Sequence, residues 1–132
     1  MKTAAGRYSS ASTPGLAEGW TLEQLTPSSR LFGANGLCTG PDGRIYVAQV
    51  SGSQISAVDI DSGVVEAICP KGGDIVAPDD LVFDSDGRLY VTEITEGRVS
   101  VREPDGRTRV LYGDLPCANP IAFHQGRLYA GE

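Results

Sequence analysis

Hydrophobic positions along this chain come in short runs bounded by Gly, Pro, Asp and Ser, and nowhere with a helical period. Ile45-Tyr46-Val47-Ala48 and Leu89-Tyr90-Val91 are nearly continuous apolar stretches. Val64 to Ile68 and Thr108 to Tyr112 are shorter runs that follow turns. Short apolar runs between turn signals read as strands, and no helix is predicted anywhere.

The runs repeat. Gly-Arg-(Ile or Leu)-Tyr occurs at Gly43, Gly87 and Gly126, so that Tyr46, Tyr90 and Tyr129 are spaced by 44 and then 39 residues. Ser53 to Val58 matches Gly97 to Arg102 at the same 44-residue offset. Each match leads into a turn, Asp61-Ser62-Gly63 or Pro104-Asp105-Gly106. For the second unit the predicted strands run 80–84, 88–94, 98–103 and 107–112. Four short antiparallel strands in a period of about 40–45 residues are the pattern of a β-propeller blade. The predicted fold is therefore all-β, a β-propeller of about two and a half four-stranded blades. Trp20 to Leu25 alternates imperfectly and is expected to form the outermost strand of another blade. Residues 1–17 read as a disordered N-terminal arm and 18–132 as a partial propeller domain.

A propeller has typically 4–8 blades, and six blades of this period need roughly 250 residues. The two and a half blades read from these 132 residues make under half of such a ring. Two expectations follow: the chain is part of a longer protein, or copies of it or a complementary chain close the ring.

Composition narrows the partners. Eleven Lys and Arg against 17 Asp and Glu leave a formal charge of −6, which works against binding a phosphate backbone. No stretch approaches the roughly 20 apolar residues of a membrane span. Three Cys without an export signal read as reduced thiols in a cytoplasmic protein. They lack metal-type spacing, and Cys38 reads as a small core residue. Composition thus predicts no nucleic-acid and no membrane partner.

Candidate chemistry sits where the innermost strand of each blade starts beside the central channel. The aligned residues there are Asn35, Asp79 and Asn119, with Asp80 a second carboxylate beside Asp79. Short side chains ending in oxygen suit a hard divalent cation, Ca²⁺ ahead of Mg²⁺, Mn²⁺ or Zn²⁺. Asn and Asp also suit loop-to-strand junctions, where they satisfy backbone groups. Calcium takes 6–8 ligands, so others would come from elsewhere. Gln49, Glu93 and Glu132 form a second aligned column. Arg44, Arg88 and Arg127 read as strand-end surface residues or partners for nearby carboxylates, the tyrosines as packing between blades, and His124 as a solvated turn residue.

Asn35-Gly36-Leu37, Pro78-Asp79 followed by Leu81-Val82-Phe83-Asp84, and the recurring Asp-Gly-Arg-(Ile/Leu)-Tyr-Val resemble the senescence-marker-protein, gluconolactonase and luciferin-regenerating-enzyme family. The likeness covers about residues 31–132, and its blade pattern is shared with NHL-repeat proteins and streptogramin lyases. The resemblance implies a six-bladed propeller with one divalent cation, often calcium, on its axis. It places Asn35 and Asp79 among the metal ligands and makes Asp79 the general base. Asp80 stands where the family has Gly. Asn119 is placed by internal alignment alone, and Glu18-Gly19 is only superficially like the family's early metal-binding Glu. The implied activity is metal-assisted hydrolysis of a lactone or related ester. A non-catalytic binding propeller and a propeller lyase acting on a cyclic ester are the alternatives.

Overall fold

A computed structural model describes residues 15–28 and 30–132. Most of the arm expected over 1–17 lies outside the described residues. The described chain forms ten strands: β1 (Ala34–Thr39), β2 (Ile45–Gln49), β3 (Gln54–Val58), β4 (Val65–Cys69), β5 (Pro78–Phe83), β6 (Leu89–Glu93), β7 (Arg98–Arg102), β8 (Thr108–Tyr112), β9 (Ile121–His124) and β10 (Arg127–Ala130). They make antiparallel sheets in the orders β1-β2-β3-β4 and β5-β6-β7-β8, followed by the pair β9-β10. The first strands of successive sheets, β1, β5 and β9, pack against one another. The molecule is thus a partial β-propeller: two whole blades and the inner half of a third. Among the described residues no helix is long and apolar enough to cross a membrane.

The middle strands are buried and the outer ones are not, as expected for sheets covered on both faces by neighbouring blades. Ala48, Ile55, Ala57, Leu81, Leu89 and Val91 form the core between the first two blades. Two of the three repeated tyrosines, Tyr46 and Tyr90, pack between blades as expected, whereas Tyr129 stands 52% exposed. Tyr46 meets Phe83 of the next blade edge-on at 4.8 Å, and Tyr90 lies parallel to Phe123 at 6.2 Å; such geometries add to the burial of the rings. On the far side of blade two, Leu111, Tyr112, Leu115, Leu128 and Ala130 line an open apolar groove of about 220 Å³.

The backbone repeats more faithfully than the side chains. Gly43, Gly87 and Gly126 hold φ of 81°, 80° and 75°, the left-handed residue that the Gly-Arg hairpin demands. Two residues before Asn35, Asp79 and Asn119, the chain is left-handed again, at Gly33 (69°), Ala77 (44°) and Cys117 (56°). A glycine announces this conformation only in the first case, which hides the other two from the sequence.

One exchange within the repeat is instructive. In blade two, Asp84 opens the β5–β6 turn and accepts hydrogen bonds from the Asp86 and Arg88 amides, Arg88 Nε and the Tyr90 hydroxyl at 2.9, 2.9, 2.7 and 3.0 Å. In blade one, Gly40 occupies that position, and a Cβ there would stand 2.2 Å from the Tyr46 ring. Asp42, two residues further on, takes over and accepts from Arg44 Nε at 2.7 Å and Tyr46 at 3.1 Å. Arg44 and Arg88 are therefore carboxylate partners, as expected.

The predicted strand over Trp20–Leu25 does not form. The segment has no strand partner, and Trp20 and Leu22 stand 74% and 67% exposed. The Leu25 carbonyl lies against the β3–β4 turn, 2.4 Å from where a Cβ of Gly63 would stand. Imperfect alternation gives such a segment no continuous apolar face with which to dock on a blade. Strand β5 also starts earlier than predicted, at Pro78 rather than residue 80, because a bulge interrupts it.

Burial raises the Asp84 carboxyl, but the Arg88, Tyr90 and Asp86 donors outweigh it and hold the group below its ordinary 3.8. A depressed carboxyl stabilises the fold above the unfolded-state value and loses that contribution as pH falls through the native value. Asp84→Asn is expected to lower the unfolding free energy by about 1–2 kcal/mol at neutral pH, Arg88 being too exposed for more. Urea titrations over a pH series should show the deficit closing below 3.8; a deficit unchanged by acid would contradict this assignment.

Candidate functional site at the blade hub

The candidate residues lie on two bulged inner strands. Pairing of β1 with β2 skips between Ala34 and Leu37, and pairing of β5 with β6 skips between Pro78 and Leu81. Each bulge frees two residues from the ladder and re-aims their side chains. The freed residues are Asn35-Gly36 and Asp79-Asp80, and β1 faces β5.

Asn35 and Asp79 meet. Asn35 Nδ2 donates to Asp79 Oδ1 at 2.7 Å. Asp79 is only 3% exposed, and its buried Oδ2 has no hydrogen-bond partner among the described residues. An orphaned buried carboxylate oxygen costs about 1–3 kcal/mol, and folded proteins seldom leave one unless something else engages it. With Nδ2 committed to Asp79, Asn35 retains its own carbonyl oxygen as a donor atom for a ligand.

The supports around this pair explain the local sequence. A Cβ at Gly36 would stand 2.4 Å from Asp80 Oδ1, 2.7 Å from Asp80 Cα and 2.8 Å from the Asp79 carbonyl oxygen. Only a glycine after Asn35 lets the two inner strands approach this closely. Asp80 proves to be a clamp: Oδ1 accepts from the Leu81 amide at 2.9 Å and Oδ2 from the Ile121 amide of β9 at 3.1 Å. Both its oxygens are thus given to backbone, one within its own strand and one across to the third blade.

Asn119 is not joined to the other two. Its carbonyl accepts from the Thr92 hydroxyl at 2.7 Å, and the same Thr92 oxygen accepts from the Asp80 amide at 3.0 Å. This fixes the Asn119 backbone near the hub, but its residue is exposed and its side chain makes no hydrogen bond among the described residues. Thr92 escaped the sequence reading. Its signal was a hydroxyl in an otherwise apolar strand where blade one carries Ala48.

The remaining candidates are structural or solvated. Gln49 accepts from Ser56 at 2.6 Å, and Glu93 binds Arg98, each within its own blade, while Glu132 is exposed. Cys38 lies on β1, where burial and the nearby Asp80 charge push its thiol up to about 12, leaving it inert as a nucleophile. His124 ends β9 in solvent, and Glu18-Gly19 lies in an exposed turn. All three cysteines are free thiols. Among the described residues no group of three His, Cys, Asp or Glu side chains is gathered for a metal. The fit to a cation thus rests on Asp79 and Asn35, a carboxylate and an amide oxygen of the hard class.

Fold and hub together define the class: a β-propeller with polar side chains presented from its inner strands. In an alignment of 108 residues that covers 69% of the chain, it is 33% identical to gluconolactonase of Zymomonas mobilis, and over that stretch it is a gluconolactonase homologue. The chain spans 30% of that relative's length. No protein-family model matches. Among solved structures, virginiamycin B lyase of Staphylococcus aureus, an inactive variant with quinupristin, aligns with a TM-score of 0.68 and 18% identity over 83% of this chain and 38% of the lyase. A structural-genomics target of the gluconolactonase type aligns at 0.64 and 21% identity over 74% of this chain and 40% of its own. A nidogen/laminin complex also aligns at 0.64, with 24% identity over 74% of this chain and 38% of its own. Proteins so different in their named activities establish the propeller fold alone.

Gly36→Ala should force β1 and β5 apart. The expected loss is about 1–3 kcal/mol by chemical denaturation, accompanied by a moved Asn35 side-chain amide resonance. An unperturbed Asn35 signal would show that the close approach does not set the hub.

Proposed function

We propose that this chain contributes part of the axial site of a gluconolactonase-type hydrolase, which opens a small-molecule lactone or related ester at a divalent cation, Ca²⁺ ahead of Mg²⁺, Mn²⁺ or Zn²⁺. The observation that carries this reading is the buried, unpartnered Asp79 Oδ2 beside Asn35, in a chain homologous to gluconolactonase. Asp79 and Asn35 would hold the ion through their oxygens, with other ligands supplied by water or by residues beyond the described hub. Bound there, a cation polarises an ester carbonyl and acidifies water.

The chain's own residues do the rest. Asn35 orients the Asp79 carboxylate through its Nδ2, leaving Oδ2 to face the site. Asp79 Oδ2 is the proton acceptor for the attacking water. Water oxygen adds to the carbonyl carbon as its proton passes to Asp79, the ring C–O bond breaks, and the leaving alkoxide takes that proton back from Asp79 to give the open hydroxy acid. Asp80 and Thr92 tie blade two to the start of the third blade at Ile121 and Asn119.

Two measurements test this. Isothermal titration with Ca²⁺ should show binding that Asp79→Ala removes, while Asp80→Asn, which retains the fold's acceptors in part, weakens it less; Ca²⁺ affinity unaffected by Asp79→Ala would remove Asp79 from the site. In the complete ring, hydrolysis in isotopically labelled water should place solvent oxygen in the product. An unlabelled, unsaturated product would establish the lyase alternative instead.

The purified 132-residue chain by itself is expected to turn over lactones weakly or not at all, because two and a half blades build only part of an axis. Robust turnover by a monomer, with its mass confirmed by light scattering, would overturn that expectation.

A further inference from the structure

Glu93 is fully buried and is hydrogen-bonded to neither Asn35 nor Asp79 among the described residues, yet its carboxylate reaches the segment that delivers Asp79 to the hub. Its Oε2 accepts from the Val76 amide at 2.7 Å and from Arg98 at 2.7 Å. Its Oε1 accepts from Arg98 Nε at 3.0 Å and from the Ser100 hydroxyl. Arg98 donates in addition to the Asp74 carbonyl at 2.9 Å. One residue past Val76, the Ala77 amide donates to Ser53 Oγ of blade one at 3.0 Å. Two consecutive amides are therefore gripped immediately before Pro78-Asp79, at the place where Ala77 is held at φ 44°. A non-glycine residue in that region is disfavoured and persists only where its surroundings enforce it.

Blade one is the internal control. The position equivalent to Ala77 is Gly33, which takes φ 69° without steric penalty. There the equivalent of Glu93 is the neutral Gln49, which reaches the preceding segment only through a long 3.5 Å contact from its Nε2 to the Phe32 carbonyl. Its partners Gln54 and Ser56 align with Arg98 and Ser100. Where the left-handed residue is glycine the grip is slack, and where it is alanine the grip is charged and short.

We propose that Glu93, oriented by Arg98 and assisted by Ser53, is a positioning residue that holds Ala77 left-handed and thereby aims Asp79 at Asn35. The proposal deepens the reading of Asp79 as a cation ligand, and it is framed so that the two can fail separately.

The test imports blade one's neutral set into blade two as Glu93→Gln/Arg98→Gln, a combination that already folds at the equivalent place in this chain. A glutamine at 93 that keeps its oxygen toward Ser100 turns an NH₂ toward the Val76 amide, donor against donor. Hydrogen exchange at Val76 should accelerate by about tenfold or more. The Asn35 side-chain amide resonance should move toward that of a free asparagine. The Ca²⁺ dissociation constant should rise by about tenfold or more, the usual effect of removing an outer support of a ligand. Adding Ala77→Gly should restore the Asn35 resonance and the Ca²⁺ affinity while Val76 still exchanges fast, a rescue that a merely stabilising ion pair would not show. Ser53→Ala, alone, should produce a smaller shift of the same resonance and serves if the double variant does not fold. An Asn35 resonance unmoved in both variants, or no rescue by Ala77→Gly, overturns the proposal. Absence of Ca²⁺ binding by the unaltered chain would sink the cation reading, and the Asn35 resonance then decides the positioning role by itself.

Discussion

The close approach of consecutive inner strands is the constraint on which this molecule depends. Strands β1 and β5 must come near enough for Asn35 to reach Asp79, and blade two near enough to the third blade for Thr92 to reach Asn119 and for Asp80 to reach Ile121, while the middle strands behind them stay buried. That demand accounts for the glycine after Asn35, for the bulges in β1 and β5, and for a left-handed residue before each inner strand. It also explains why polar side chains are found there at all. Residues freed from the ladder must find partners, and the partners available lie on the neighbouring blade.

The fold was legible because blade repetition writes itself into turns. The Gly-Arg-(Ile/Leu)-Tyr unit marks the hairpin between the first two strands of each blade, and the apolar runs after it are the buried middle strands. The order, number and antiparallel pairing of strands follow from that unit. Trp20–Leu25 was misread because its neighbours in sequence carry no such unit. Its alternating residues satisfy a strand's composition without supplying a face that a blade could accept.

The hub was partly legible. Alignment brought Asn35 and Asp79 to equivalent places, and they are in contact. Alignment also made Asn119 and the Gln49-Glu93-Glu132 column look equivalent, and there the side chains diverge. Equivalent backbone positions need not present equivalent chemistry, as Gly40 and Asp84 show within one turn. The roles of Thr92, Asp80 and Ala77 were invisible because each depends on a neighbour in another blade or on a backbone angle that an alanine does not advertise.

The groove beside β8 carries a separate consequence. Leu111 and Tyr112 stand 43% and 56% exposed along it, with Leu128 and Ala130 across the way. Such a contiguous oily ledge responds to cosolvent more steeply than a mixed surface. Sulfate and other excluded salts strengthen apolar contact, so the colloidal behaviour of this acidic chain is governed by that ledge as well as by its charge.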